Sequence, residues 1–256
     1  MVDSKVSIII PFYNASSSLF VSLESVLSQS HKFIEVILID DCSTDNSLEI
    51  VKGFEMLFLE KGFEFTLCEH KINQGVAVAR NTGLGKATGD FVYFVDADDW
   101  IEPDTIGSLL IMASKSSAEI VGCNWYLSFK SNERKMNQPH FETPWEAIYL
   151  ILCGRMRWNL WIFMVRRELF TKNVISFVPD KNMGEDLLVM LKLFIKAEKV
   201  SFIDRRLYHY NQQNENSLTK EYSDKYIQDV TFNVFEAEKE LLRSKYKSRI
   251  KNEIFY

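Results

Sequence analysis

One run of apolar residues that ends abruptly in acid limits most strongly what this chain can fold into. Residues 91–95 read Phe-Val-Tyr-Phe-Val, and three carboxylates, Asp96, Asp98 and Asp99, follow within four positions. A short, continuous run of β-formers predicts an interior strand of a parallel sheet. Because ligands of open α/β sheets bind beyond the carboxyl ends of the strands, the carboxylates are expected to line a cleft. Hard oxygen ligands favour Mg²⁺ or Mn²⁺, which usually bind together with substrate phosphates.

The same acidic cluster has a simpler structural interpretation, as a loop that begins the next helix. Asp99 and the pair Pro103-Asp104 both resemble the start of a helix. Capping uses a single Asp, however, and leaves the other two carboxylates without a role. The cluster by itself leaves both interpretations open.

Predicted strands and helices alternate in the N-terminal half of the chain. Strands are predicted at residues 6–10, 33–39, 63–68 and 91–95, and helices at residues 16–30, 43–61 and 75–86. Strands that alternate with helices and are apolar through most of their length predict a mainly parallel sheet covered on both faces. The expected fold class is therefore α/β.

The pattern is looser in the second half. Helices are predicted from 103 to about 116, at 144–153 and at 185–197, with strands at 120–123 and 200–203. A polar, turn-rich stretch at residues 131–139 is expected to be the seam between two halves. From Ser223 onward the periodicity predicts one long helix.

Composition and charge exclude several classes of protein. The chain has 256 residues, 46% of them hydrophobic, and a formal net charge of -5, which argues against a nucleic-acid-binding protein. Its four cysteines have no CxxC spacing, so neither a zinc site nor a disulfide framework is expected. With no signal peptide and no apolar run near the roughly 18 residues of a membrane span, the expected location is the cytoplasm.

Several short motifs follow one another along the chain in a recognisable order. They are residues 6–14 (Val-Ser-Ile-Ile-Ile-Pro-Phe-Tyr-Asn), 40–45 (Asp-Asp-Cys-Ser-Thr-Asp), 73–75 (Asn-Gln-Gly), 79–83 (Ala-Arg-Asn-Thr-Gly), 89–99, 184–186 (Gly-Glu-Asp) and 208–210 (Tyr-His-Tyr) with Ser217. Over about residues 5–220 the chain closely resembles the inverting nucleotide-sugar glycosyltransferases of family 2.

The resemblance implies a GT-A fold, with a Rossmann-like, mainly parallel sheet flanked by helices and a C-terminal helical extension. It divides the chain into a nucleotide-sugar-binding half (residues 1–122), an acceptor-binding half (123–217) and the extension (218–256). The Gln-x-x-Arg-Trp motif of processive synthases is absent from the sequence, so transfer of a single sugar is expected.

The resemblance assigns the nucleotide to residues near the ends of the first strands, namely Pro11, Tyr13, Asp41, Arg80 and Asp96. Asp41 would accept the uracil N3–H, and Tyr13 would flank the base or the ribose. Capping of the next helix is the structural alternative for Asp41, although Ser43 and Asp45 suit that role. Arg80 is either a surface residue or a partner for the base or the diphosphate.

The resemblance also implies a bound Mn²⁺ or Mg²⁺. Asp98 and Asp96 would hold the metal, and His209 would approach it or the diphosphate, although a lone His more often has a structural role. Asp99 would be a second metal ligand, a sugar contact or a helix cap. Asn211 stands where the family often has Arg, which puts phosphate contacts from this loop in doubt; Lys220 is the alternative.

Asp186 is the candidate general base, because inversion requires a carboxylate opposite the leaving group to take the proton of the acceptor hydroxyl. The alternative is that Glu185 and Asp186 only begin a helix, where the dipole favours acids. Glu185 is assigned to the acceptor or sugar together with Trp158. Trp145, Trp158 and Trp161 are either core residues or a wall on which a sugar stacks.

The expected partners are a nucleotide-sugar donor, UDP-linked by preference, and a saccharide or lipid-linked acceptor of surface polysaccharide assembly. A nucleotidyltransferase and a catalytically silent binding module are the alternatives. Five cations within nine residues, Arg243, Lys245, Lys247, Arg249 and Lys251, also allow peripheral contact with an anionic membrane. A solvated helix face explains them equally well.

Overall fold

The computed structural model describes residues 3–213 and 223–253, with the backbone alone at Lys251. Strands within these ranges are β1 Val6–Phe12, β2 Ile34–Asp40, β3 Glu64–Glu69, β4 Phe91–Phe94, β5 Trp100–Ile101, β6 Ile120–Ser128, β7 Glu133–Met136, β8 Phe163–Arg166 and β9 Val200–Asn211. Helices are α1 Leu19–Leu27, α2 Ser47–Lys61, α3 Val76–Lys86, α4 Thr105–Ser116, α5 Pro144–Leu152, α6 Arg167–Asn173, α7 Glu185–Lys196, α8 Asp224–Arg243 and α9 Lys247–Glu253.

The described strands form one sheet in the order β3-β2-β1-β4-β8-β6-β9-β5, with β7 added beside β6. Strands β3, β2, β1 and β4 are mutually parallel. β1, β2 and β4 are buried along their whole length, as expected for strands covered by helices on both faces. The predicted fold class, a mainly parallel sheet flanked by helices with a C-terminal helical extension, is confirmed.

Strand β1 continues through Pro11, where the sequence predicted its end. The Ile9 carbonyl accepts from Val95 N at 3.1 Å, so β1 faces β4 at this residue. Backbone groups of every second residue in a strand point to the same side, so the nitrogen of Pro11 also faces β4. Pro11 lies beyond Ile9, the last β1 residue paired with β4. Its missing N–H therefore costs the sheet no hydrogen bond. The extension carries Tyr13 to the edge where β2 ends.

The second half departs most from the sequence prediction. Residues 131–139 contain β7, which pairs antiparallel with β6, so the predicted seam is a hairpin. The exposed, charged residues of this edge strand show no apolar alternation. β8 and α6 were not predicted, and β9 is far longer than expected. The proposed division between residues 122 and 123 falls inside β6, and the division between 217 and 218 lies outside the described residues.

The predicted long C-terminal helix is two helices. α8 ends at Arg243 because Ser244 has an extended backbone, and Ser244 Oγ accepts from Tyr246 N at 3.1 Å. α9 docks against α5: Trp145 Nε1 donates to Glu253 at 3.0 Å, and the Arg249 guanidinium lies over the Trp145 ring. Arg249 thus has a role in packing.

Lys245 donates to the Ala197 carbonyl at 3.3 Å. Two of the five cations thus bind the protein itself, and membrane contact stays a prediction. No helix in the described ranges is both long and apolar enough to cross a membrane.

Candidate functional site

Asp41 organises the loop that follows β3. Its Oδ1 accepts from His70 Nδ1 at 2.7 Å and from Gln74 N at 2.9 Å, and its Oδ2 accepts from Gly75 N at 2.7 Å. A carboxylate has about four acceptor positions, and these three hydrogen bonds use most of them. Asp41 does not cap α2, whose N-cap is Asn46.

Arg80 connects the two acidic motifs. Its Nη1 donates to Glu185 at 2.6 Å and to Asp186 at 2.8 Å, and its Nη2 donates to Asp96 at 3.2 Å. The Arg80 side chain is only 5% exposed. Gly83, on the same helix, lies so close to Ile9 that an added Cβ would be 2.4 Å from it. Arg80 is therefore neither a surface residue nor free to reach the diphosphate in this conformation.

Burial changes the acidity of the carboxylates around Arg80. Burial raises the pKa of Glu185 to about 8, with a further contribution from neighbouring Asp186, although Arg80 opposes the shift. Burial also raises the pKa of Asp96 to about 6, against the attraction of Arg80. One guanidinium thus faces three carboxylates, and burial favours the protonated form of Glu185.

The raised pKa of Glu185 predicts that the stability difference between the wild type and Glu185→Gln depends on pH. The folded-state pKa of Glu185 is near 8, raised from 4.5, so this group contributes stability in full below about pH 4.5. Its contribution is lost as the pH rises from 4.5 through 8. The neutral amide of the variant does not titrate, so the variant loses no such contribution. The melting temperature of the variant relative to that of the wild type should therefore rise from pH 5 to about pH 8 and then level off. Thermal melts across this range provide the measurement. A difference independent of pH would contradict the raised pKa of Glu185.

Asp186 has both carboxylate oxygens in protein contacts. Oδ1 accepts from Arg80, and Oδ2 accepts at 3.0 Å from the backbone N–H of Leu160, which begins a 3₁₀ turn, Leu160–Ile162. Asp186 lies in the first turn of α7, as the helix-start interpretation predicted, and its role as a base stays a prediction. Trp161, in this turn, and Trp145 are buried in the core. Trp158 is only half-buried and remains the candidate for a sugar contact.

Asp99 is fully buried below the other carboxylates. It accepts from the Tyr208 hydroxyl and from Asn211 N, both at 2.7 Å, and the same hydroxyl accepts from Asp96 N at 3.1 Å. Burial, and then the charges of Asp98 and Asp96, raise the pKa of Asp99 well above its usual range. Asp99 does not cap α4, whose N-cap is Asp104. It holds the acidic loop to β9, and this geometry does not favour the predicted contact with metal or sugar.

His209 is enclosed by aromatic rings and acids. Its ring stacks between Trp100 and Tyr126, with centroids 5.1 and 4.7 Å away. Nε2 lies 2.9 Å from Glu102, and Nδ1 lies 2.8 Å from Glu133. Because both ring nitrogens have carboxylate partners, the structure does not direct His209 at a metal. The structural interpretation of this histidine fits the contacts better.

The remaining predicted positions lie around the ends of β1 and β2. Tyr13 is 49% exposed, whereas Pro11 is buried within β1. Asn14, at φ 47°, links the loop after β1 to the loop after β2, because its Oδ1 accepts from Thr44 N at 2.7 Å. Lys220 and Ser217 lie outside the described residues.

The family model for "Glycosyl transferase family 2" matches residues 7–185, a range that contains Arg80, Asp96 and Glu185 and ends one residue before Asp186. The chain belongs to this family. The resemblance seen in the sequence motifs is thereby confirmed.

Several family-2 relatives cover most of the chain. The uncharacterized glycosyltransferase EpsJ of Bacillus subtilis is 33% identical over 223 residues, which are 84% of this chain and 63% of that protein. The poly(ribitol-phosphate) β-N-acetylglucosaminyltransferase TarS of Staphylococcus aureus is 27% identical over 82% of this chain and 36% of its own length. This chain thus spans less than two thirds of either relative.

A solved structure has the same fold. The crystal structure of S. aureus TarS residues 1–349 in complex with UDP-GlcNAc superposes with a TM-score of 0.80 at 23% identity, covering 94% of this chain and 67% of that chain. The likeness confirms the predicted GT-A architecture.

A divalent metal expected for a family-2 enzyme has oxygen donors available here. Asp96 and Asp98 are both partly exposed, beyond the end of β4. Mg²⁺ and Mn²⁺ commonly use one or two carboxylates and complete their coordination with phosphates and water. In the described part of the chain, no group of three or more His, Cys, Asp or Glu side chains is placed to hold a metal. Asp96 and Asp98 fit such a metal, but the structure does not bring His209 together with them as the prediction required.

Sequence reasoning missed several residues that build this family-2 site. Leu160 contacts Asp186 from 26 residues away in sequence, and Asn182 contacts the α3 helix from 105 residues away. Nothing in their local pattern marks them. His70 had a weak signal, since it directly follows β3 and so lies at the same sheet edge as Asp41.

Proposed function

We propose that this chain transfers a single sugar from a UDP-sugar to a saccharide or lipid-linked acceptor, with inversion and with the assistance of a divalent metal. The observation that carries the proposal is the Arg80 cluster. One buried guanidinium contacts Asp96, on the predicted donor side, and Asp186, the candidate base. This arrangement supports a general base, Asp186, that lies close to a carboxylate of the proposed donor site.

In the proposed mechanism Asp186 takes the proton of the acceptor hydroxyl as that oxygen attacks the anomeric carbon. Arg80 and Leu160 N hold the two oxygens of Asp186 and fix its orientation. Asp98 and Asp96 would hold the metal, which, when bound, offsets the negative charge that develops on the leaving phosphate. Asp41 would accept the uracil N3–H, and the exposed Tyr13 ring would flank the base or the ribose.

The donor and the acceptor are proposed from relatives. The TarS structure in complex with UDP-GlcNAc supports a UDP-sugar donor. The relative TarS, a poly(ribitol-phosphate) β-N-acetylglucosaminyltransferase, supports a polymer as the acceptor, which we place in surface polysaccharide assembly. A UDP-sugar donor fits action in the cytoplasm, including the inner face of the membrane.

The proposal is tested by screening nucleotide sugars in the presence of Mn²⁺. At least one UDP-sugar should raise the melting temperature and be slowly hydrolysed, and GDP- or CMP-sugars should do neither. Stabilisation without hydrolysis or transfer, on any acceptor, would instead indicate a silent binding module. Release of pyrophosphate from UTP and a sugar phosphate would indicate a nucleotidyltransferase.

Asp98→Ala should remove the contribution of Mn²⁺ to UDP binding. Asp96 alone cannot hold the metal on the diphosphate, and so we expect at least roughly a tenfold loss of affinity, on the scale of a charge-assisted contact. Calorimetry with UDP, with and without Mn²⁺, measures the change. In the absence of Mn²⁺ the two proteins should bind UDP alike. Unchanged affinity with Mn²⁺ would remove Asp98 from the metal site.

Asp41→Ala should weaken UDP binding by roughly 1–3 kcal/mol, because the uracil N3–H loses its acceptor and the Gln74-Gly75 loop loses its anchor. Comparing UDP with GDP separates the two causes. A loss confined to UDP supports recognition of the base. Equal losses for both nucleotides would limit Asp41 to supporting the loop.

A further inference from the structure

The C-terminal helix α8 lies outside the residues that match the family model, yet it contacts the segment that leads into Asp186. The match ends at residue 185, and α8 begins at Asp224. Two polar side chains on its inner face, Asp229 and Asn233, are 2% and 0% exposed. Burying polar groups costs free energy unless they find partners, so their partners indicate what these residues do.

Asp229 binds residues 181 and 182 of the segment before α7. Its Oδ2 accepts from Asn182 N at 3.1 Å, and its Oδ1 accepts from Lys181 Nζ at 3.2 Å. Lys225, one turn earlier on α8, lies 3.6 Å from the same carboxylate. The two ammonium groups offset the cost of burying the charge. Asp229 thereby fixes the backbone at residue 182.

The next two residues, Met183 and Gly184, contact Asn233 and Val230 of α8. Asn233 Nδ2 donates to the Met183 carbonyl at 2.8 Å. Gly184, the N-cap of α7, has φ +75°, and a Cβ there would lie 3.4 Å from the Val230 Cα. The positive φ would strain a side chain at this position, whereas a Cβ there would be in ordinary van der Waals contact with α8. The start of α7 therefore packs directly against α8.

The same segment also binds α3, the helix that carries Arg80. Asn182 Oδ1 accepts from Ala77 N, in the first turn of α3, at 3.1 Å. Its amide group also lies against Gly75, where an added Cβ would be 2.3 Å from Asn182 Nδ2. Residues 181–184, which we name the clamp segment, thus touch both helices whose Arg80 and Asp186 meet at 2.8 Å.

We propose that Asp229 and Asn233 are positioning residues of the sugar-transfer reaction. Through the clamp segment, they set the separation and orientation of Arg80 and Asp186. The catalytic meaning of this inference rests on the proposed function, whereas the clamp itself does not. A base displaced by even 1 Å loses much of its efficiency. In this proposal α8, although outside the residues that match the family model, therefore affects the reaction by holding Asp186 in place.

Kinetics of Asp229→Ala and Asn233→Ala test the catalytic part, with the exposed Asp224→Asn on the same helix as control. We expect kcat to fall roughly tenfold or more in both clamp variants, while KM for the UDP-sugar stays within about threefold. Asp229→Asn keeps an acceptor for Asn182 N and should recover part of kcat. The control should match the wild type.

Hydrogen exchange tests the clamp without any activity. Amides of residues 76–80 and 182–187 should exchange faster in both clamp variants than in the wild type or Asp224→Asn, while those of β1 and β2 stay protected. If Asp229→Ala does not fold, Asn233→Ala, which removes no charge, carries the test.

Unchanged exchange in both segments would overturn the clamp. Faster exchange with unchanged kcat would limit α8 to stability and overturn the positioning role. A wild type inactive on every donor would contradict the proposed function, and the exchange result would still decide the clamp.

Discussion

Asp186→Asn is expected to lower sugar transfer by roughly 10²-fold or more, the usual scale for losing a general base, while UDP affinity stays within about threefold. The amide has nearly the shape of the carboxylate but does not accept the acceptor's proton. The two oxygens of Asp186 receive hydrogen bonds from Arg80 and Leu160 N. Asn retains one of these acceptors, so the start of α7 should keep its place. Steady-state transfer and calorimetry with UDP measure the two effects.

Glu185→Gln is the matched control for this experiment. Glu185 shares the Arg80 Nη1 donor with Asp186 and is equally buried, whereas Leu160 N donates to Asp186. Its raised pKa favours the protonated form, which cannot act as a base. Transfer by the Glu185→Gln variant should therefore stay within several-fold of the wild type. The opposite ranking, with transfer lost in Glu185→Gln and retained in Asp186→Asn, would assign the base to Glu185.

Arg80→Leu is expected to destabilise the folded protein by roughly 3–5 kcal/mol at neutral pH, the range for removing one partner from a buried ion pair. The substitution leaves the buried Glu185 and Asp186 and the partly exposed Asp96 without the Arg80 cation. Lowering the pH should recover part of the loss, because protonation neutralises these carboxylates. Arg80→Lys keeps the charge but not the fork that reaches both acidic motifs, so an intermediate loss is expected.

Urea unfolding at pH 7.5 and pH 5.5 measures the loss, and Arg205→Leu provides the control. Arg205 also forms a close ion pair, 2.6 Å from Asp104, but both side chains are about half exposed. Exposed pairs contribute little, so this control should cost less than about 1 kcal/mol. If the two leucine variants lose similar stability, Arg80 is not the centre of a buried cluster.

The elements that the sequence predicted well are those whose pattern lies within a few neighbouring residues. β1, β2, β4 and α7 appear where apolar runs or a helical period predicted them, within a few residues at their ends. The loop predicted at residues 131–139 was wrong, because the exposed edge strand β7 has no apolar face to reveal it; the division into two halves stays a prediction. The single long C-terminal helix was wrong because Ser244, an ordinary helix residue, adopts an extended backbone there.

The candidate site divides in the same way. Its acids were found from the sequence because motif and strand end coincide: Asp41 follows β2, Asp96 and Asp98 follow β4, and Asp186 begins α7. What each acid contacts was not predictable. Arg80, predicted to meet the nucleotide, binds three carboxylates, and Asp99, predicted as a metal ligand, a sugar contact or a helix cap, binds Tyr208; the nucleotide, metal and sugar roles stay predictions.

The sequence by itself determined the α/β class, the family and the identity of the acids at the strand ends, because these follow from residue type and short spacing. Only the tertiary structure decided their roles. Tyr208 lies 109 residues from Asp99, and Asp186 lies 106 residues from Arg80. Whether such groups meet depends on how helices and strands pack, and on which buried polar groups then find partners. Packing over that distance leaves no periodic trace in the chain, and so the protein's charge network is visible only once it is folded.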